Sequence, residues 1–139
     1  MKNILVFCLL IGLFTACNET EVIVEYGLIG KYQLVEILAD PGDGSGTFQA
    51  VNSDKTIELY IDSTFKSNGD ICSMSVDTGA LSEGSFSLED SMIFPDDCNA
   101  LSFELIGNAL IISYPCIEPC RVKYEKISRL LGNDFTSST

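Results

Sequence analysis

The chain has 139 residues, enough for one domain with a modest core, and sets 20 Asp and Glu against 8 Lys and Arg. The formal charge of −12 repels nucleic acid and anionic surfaces. Histidine is absent, which removes the commonest general base and metal ligand together and excludes Ser/His/Asp and Cys/His catalytic arrangements.

Met1-Lys2-Asn3 is a short positive segment, and Ile4 to Phe14 is an apolar run of 11 residues. Such a run is too short to span a bilayer but suits a signal peptide. Thr15-Ala16-Cys17 then reads as a lipobox, with residues 1–16 removed and Cys17 lipidated at the mature N-terminus. Phe14 departs from the branched aliphatic usual there, and the alternative is an ordinary secretory signal cut near Ala16. Loss of Lys2 leaves seven basic residues against the same 20 acidic ones. The acids are scattered singly or in pairs, as on a solvated surface. Residues 17–29 read as an acidic tether between lipid and domain.

Residues 30–127 read as strands and turns. Tyr32 to Leu38 is a near-continuous apolar strand. Thr56 to Ile61 alternates, and Phe65 opens a third strand running toward Cys72. Gly84 to Leu88, Met92 to Phe94, Leu101 to Leu105, Leu110 to Tyr114 and Val122 to Glu125 complete eight. Asp62-Ser63, Glu89-Asp90 and Gly107-Asn108 are tight hairpin turns. Ala39 to Lys55, Ser73 to Glu83, Pro95 to Ala100 and Pro115 to Pro119 are long connections. The two kinds alternate, so in a meander all tight turns fall at one end and all long loops at the other. The expected fold is all-β, an eight-stranded antiparallel up-and-down barrel whose closure removes exposed edges. Residues 128–139 read as a flexible tail.

The inward apolar set is Ile57, Leu59, Phe65, Phe86, Leu88, Phe103, Leu105, Leu110 and Ile112. Such residues either line a ligand cavity or simply fill a small barrel. Cys8 leaves with the signal and Cys17 takes the lipid. Cys72, Cys98, Cys116 and Cys120 remain, an even number suited to two disulfides in an oxidising compartment. Cys116 and Cys120 flank one short loop, which favours pairing them and leaves Cys72 for Cys98. The other two connectivities stay open, since all four cysteines lie at the long-loop end.

Asp40, Asp43 and Ser45 offer oxygens in a glycine-rich loop, but the EF-hand pattern is not met and a plain turn is expected. Asp96-Asp97 reads as a solvated pair, because adjacent loop residues point apart. No metal, no cofactor and no catalytic residue is expected.

Gly30-Lys31-Tyr32 resembles the lipocalin Gly-x-Trp motif, with tyrosine in the tryptophan place. Together with the lipobox, the Asp40–Phe48 loop and the Tyr114–Cys120 stretch, it resembles the lipocalin-like lipoproteins of Bacteroidetes over residues 28–127. Asn18-Glu19-Thr20-Glu21 resembles the surface-export signal of some lipoproteins of that group. The resemblance implies a calycin-type barrel and no settled activity. It also implies a basic residue near the last strand covering the first-strand aromatic, with Arg121 as candidate over Tyr32.

Two functions follow as expectations. One is a lipid-anchored, non-catalytic module binding a small apolar ligand. The other is an interaction lipoprotein with a filled barrel, whose disulfide-braced loops contact an envelope protein. Either would be a monomer held by its lipid at the outer membrane, with no nucleic-acid partner.

Overall fold

The computed structural model describes residues 27–128. The signal segment 1–16, Cys17, the tether as far as residue 26 and the tail from residue 129 lie outside the described residues. Nine strands follow in order: β1 (Gly30–Ala39), β2 (Gln49–Ala50), β3 (Thr56–Leu59), β4 (Thr64–Ser67), β5 (Ser82–Ser87), β6 (Met92–Pro95), β7 (Leu101–Ile106), β8 (Ala109–Tyr114) and β9 (Cys120–Ser128).

Each strand from β3 to β8 pairs antiparallel with the next, and β1 pairs with both β3 and β9. The result is the expected closed eight-stranded barrel, with β2 as an extra strand. Closure leaves no long unpaired edge. β2 was not foreseen. It shares one edge of β1 with β3, with Ile37 facing Gln49 and Gln33 facing Thr56. Between them the chain bulges, held by Val51 N donating to Val35 O and Leu34 N to Lys55 O, both at 2.9 Å. The third expected strand is also shorter than its pattern suggested. β4 ends at Ser67, and the chain from Asn68 onward folds over the barrel instead of extending to Cys72.

Period-2 patterning places the core. Tyr32, Leu34, Ile57, Leu59, Phe65, Leu110, Ile112, Val122 and Tyr124 are all essentially inaccessible. Each fully buried large apolar side chain contributes about 1.5–3 kcal/mol relative to exposure. Leu28 and Ile29 belong to the same cluster. The folded unit therefore begins before residue 30, inside the stretch assigned to the tether, and Ser128 still belongs to β9.

The tight turns occupy one end. Ser63, Ser91 and Gly107 carry them with φ of 63°, 53° and 61°. Leu28 plugs this end, and the Tyr32 hydroxyl donates to its carbonyl at 2.6 Å. The cation over the Tyr32 ring is Lys126, 5.3 Å from the centroid, and not Arg121. The β1–β9 register sets this geometry. Tyr32 faces Lys126, whereas Arg121 faces Leu38 at the other end and pairs loosely with Glu104 at 3.9 Å. Gly30 makes this approach possible: a Cβ there would lie 2.5 Å from the Lys126 Cε and 2.6 Å from the Ser128 carbonyl.

Candidate functional site

The long loops gather at the other end, and the segment Asn68–Gly79 closes it as a lid. Ile71 drops from this segment into the barrel and is fully buried. Its amide is held by the Ser82 hydroxyl at 3.0 Å, and its carbonyl accepts from the Tyr114 hydroxyl at 3.1 Å. A disulfide from Cys72 to Cys98 ties the lid to the β6–β7 connection.

Lys55 organises the lid from below. It is fully buried, and its ammonium donates to the carbonyls of Asp70 (2.5 Å), Ser75 (2.8 Å) and Ser73 (3.4 Å). Burial pushes the Lys55 pKa down, with Asp70 and Asp77 opposing that shift through their charge. The Asp70 carboxylate accepts from the Ser73 hydroxyl at 2.6 Å and the Cys72 amide at 2.8 Å, which holds its pKa below the usual carboxylate value. The lid ends are pinned as well. Ser53 donates to the Val76 carbonyl at 2.6 Å, and the Gly79 amide to the Asn68 carbonyl at 2.7 Å.

Two further loops lie side by side at this end. The Asp40 carboxylate accepts from the amides of Gly42, Asp43 and Gly44 on one oxygen and Gly46 on the other, at 2.7–3.2 Å. These bonds, led by that from Gly42, lower its pKa. The carboxylate is thereby committed to its own loop, which argues for a turn against a calcium site. Gly46 is required there, because a Cβ would lie 2.7 Å from the Asp40 Oδ2. Asp43 likewise turns back on Ser45. Among the described residues no group of three or more Asp, Glu, His or Cys could hold a metal.

The Asp40 amide donates to the Pro119 carbonyl at 3.2 Å, and this joins the glycine-rich loop to its neighbour. That neighbour is the second disulfide loop, closed by Cys116 and Cys120 four residues apart. Both favoured pairings are thus present. At its apex Ile117 is fully exposed. Leu81, 78% exposed, borders a groove of about 350 Å3 shared with Lys66, Glu83, Asp96 and Asp97. Asp96 and Asp97 are exposed, as the solvated-pair reading requires.

The inward set divides in two. Ile57, Leu59, Phe65, Phe86, Phe103, Leu110 and Ile112 are core residues, and Leu88 and Leu105 pack against them partly buried. Ile57, Leu110 and Ile112 have no accessible surface at all, so no water-sized void opens onto them. Tyr124 lies in the middle of the barrel wall, level with Leu110 and Leu34. Its hydroxyl is buried without a hydrogen-bond partner, and burial raises its pKa well above the ordinary value. Three buried residues of this region lie outside the expected inward set: Lys55, Ile71 and Tyr124. Lys55 shares the phase of Ile57 and Leu59, and Tyr124 that of Val122, so alternation alone carried a signal for both. Ile71 shares the phase of Phe65 in the expected third strand, but the chain leaves that strand at Ser67 and Ile71 is buried from the loop instead.

The chain matches no protein-family model, no curated protein and no solved structure.

Proposed function

We propose that this chain is a lipid-anchored, non-catalytic interaction module of the bacterial cell envelope, akin to the lipocalin-like lipoproteins it resembles. Its barrel serves as a rigid scaffold, and its loop end docks a protein partner. The observation that carries this reading is Ile117, fully exposed at the apex of a five-residue loop closed by Cys116 and Cys120. An apolar side chain on a disulfide-fixed tip loses little entropy on burial, which is what an interface anchor needs. Glu118 follows it in the loop, and the loop that carries Asp40 and Asp43 lies alongside, with the Asp40 amide on the Pro119 carbonyl. The partner surface is therefore an apolar pocket with a basic rim. Cys17 carries the lipid, residues 1–16 are the signal, and the outer membrane is the address.

The test is a photo-crosslinking amino acid at position 117 in the native host. One discrete adduct, competed away by excess unlabelled protein, is expected. Absence of any adduct at 117 would sink the reading.

The Tyr124 hydroxyl favours a second reading, a small apolar ligand inside the barrel. One polar atom on such a ligand would satisfy the buried hydroxyl, and the lid would have to lift to admit it. Native mass spectrometry of protein from its own host separates the two. A bound small molecule supports the second reading, and a clean apo mass counts against it.

A further inference from the structure

Three isoleucines stand exposed around the tight-turn end. Ile61 is 59% exposed, Ile106 60% and Ile127 52%. Ile61 follows β3, Ile106 ends β7, and Ile127 lies near the end of β9. The strand order brings them together as an arc. β9 and β1 are neighbours, with β8 and β7 next to β9 on one side and β3 next to β1 on the other. The arc is thus centred on the β1–β9 seam, where the chain enters at Gly27 and Leu28. Across the barrel, the β5–β6 turn presents Glu89 and Asp90 instead. The end is therefore two-sided, with the three isoleucines on the seam side among Lys31, Lys126 and Asp62, and Glu89 and Asp90 opposite.

We propose that the arc of Ile61, Ile106 and Ile127 seats the barrel on a phospholipid bilayer. The proposal rests on the reading of Cys17 as the lipidated residue. Nine residues separate Cys17 from Gly27, and the ten residue steps span at most about 35 Å when fully extended. A lipid on Cys17 would hold the seam side near the bilayer at high effective concentration. Under that condition weak apolar contacts become significant, because the tether keeps the barrel within reach of the bilayer. The acidic β5–β6 turn would be repelled from an anionic surface, so the barrel leans onto its seam. Above Ile106 lies an outer-wall groove of about 580 Å3, in which Phe48, Ala109 and Ile111 stand beside Lys123, Glu125 and Lys126. Leaning brings that wall toward the membrane. The loop end, with Ile117, faces away.

The chain contains no tryptophan, so a single introduced one is a clean reporter. Ile61→Trp, Ile106→Trp, Ile127→Trp and Ile117→Trp are made separately in the full lipidated chain. Each is reconstituted into phosphatidylcholine vesicles with brominated acyl chains. Emission from positions 61, 106 and 127 is expected to shift to the blue and to be quenched by the bromolipid, while that from 117 stays water-like and unquenched. Water-like, unquenched emission from the first three, with the lipid verified by mass, overturns the proposal and leaves the anchor intact. A mass without lipid on Cys17 overturns the anchor and the seat together. A blue shift that appears without vesicles and grows with protein concentration assigns the arc to a second copy and also overturns it. Should one position reject tryptophan, the other two carry the test.

Discussion

The ammonium of Lys55 lies 2.8 Å from the carbonyl oxygen of Ser75, twenty residues further along the chain. With the Asp70 and Ser73 carbonyls it forms a cationic hub beneath a loop that has no strand of its own. A lysine rarely sits fully buried, and here three backbone acceptors replace its water.

Lys55→Met keeps the length of the side chain but removes the donor. The lid carbonyls then lose their partner, and the cost is expected at about 2–4 kcal/mol. Urea unfolding measures it, and proteolysis within residues 68–79 should accelerate in parallel. A loss below 0.5 kcal/mol would mean that the lid is held by other bonds.

The two disulfides should differ in value. Cys72–Cys98 closes a separation of 26 residues and Cys116–Cys120 one of 4. Loop entropy assigns about 3.5 kcal/mol to the first and about 2 kcal/mol to the second. Paired serine substitutions, compared by thermal unfolding, test that order. Loss of the second pair should act mainly on partner docking, because it frees the Ile117 tip.

Tyr32 and Tyr124 form a matched contrast. The Tyr32 hydroxyl bonds to Leu28, whereas the Tyr124 hydroxyl bonds to nothing. Tyr32→Phe should cost about 1 kcal/mol, and Tyr124→Phe should be neutral or stabilising by about 1 kcal/mol. Denaturant midpoints at equal slope report both. A strong loss at Tyr124 would indicate that its hydroxyl is satisfied in solution.

Stability should fall in acid. Asp40, Asp70 and Asp62 all have folded pKa values below the ordinary 3.8. Each therefore contributes stability that is present above its unfolded value and lost as pH falls through the folded one. Melting temperature should drop steeply below about pH 4. Asp70→Asn should be less stable at neutral pH and show a shallower acid slope. At the alkaline end the sign reverses. Burial raises the Tyr32 phenol to about 12, so its contribution is present below 10.0 and lost as pH rises through 12. Spectrophotometric titration at pH 11 should find this phenol still protonated.

Much of the barrel was legible because half-buried antiparallel strands alternate. Ile57 and Leu59, or Leu110 and Ile112, betray their face by spacing alone. β2 was not legible: Gln49–Ala50 is two exposed residues, held by pairing with β1 rather than by burial. The cation over Tyr32 was assigned to Arg121 because sequence does not fix register. β1 and β9 run antiparallel, so Tyr32 near the start of β1 meets Lys126 near the end of β9, and Arg121 meets Leu38. Lys55 was hidden by its charge. The in-phase position pointed inward, but only a loop supplying three carbonyls makes that position tenable, and such a loop has no periodic signature.

The entry of the chain beside β1 has a mechanical consequence. Tension entering at Gly27 meets the Leu28 plug and its bond from Tyr32 before it reaches the sheet. Beyond that point β1 is flanked by β9 along its length and by β3 and β2 on the other edge. A force along the barrel axis must therefore break both rows of hydrogen bonds in shear, many at once, rather than unzip them singly. The strand that receives the load is also the one paired with three others, β2, β3 and β9.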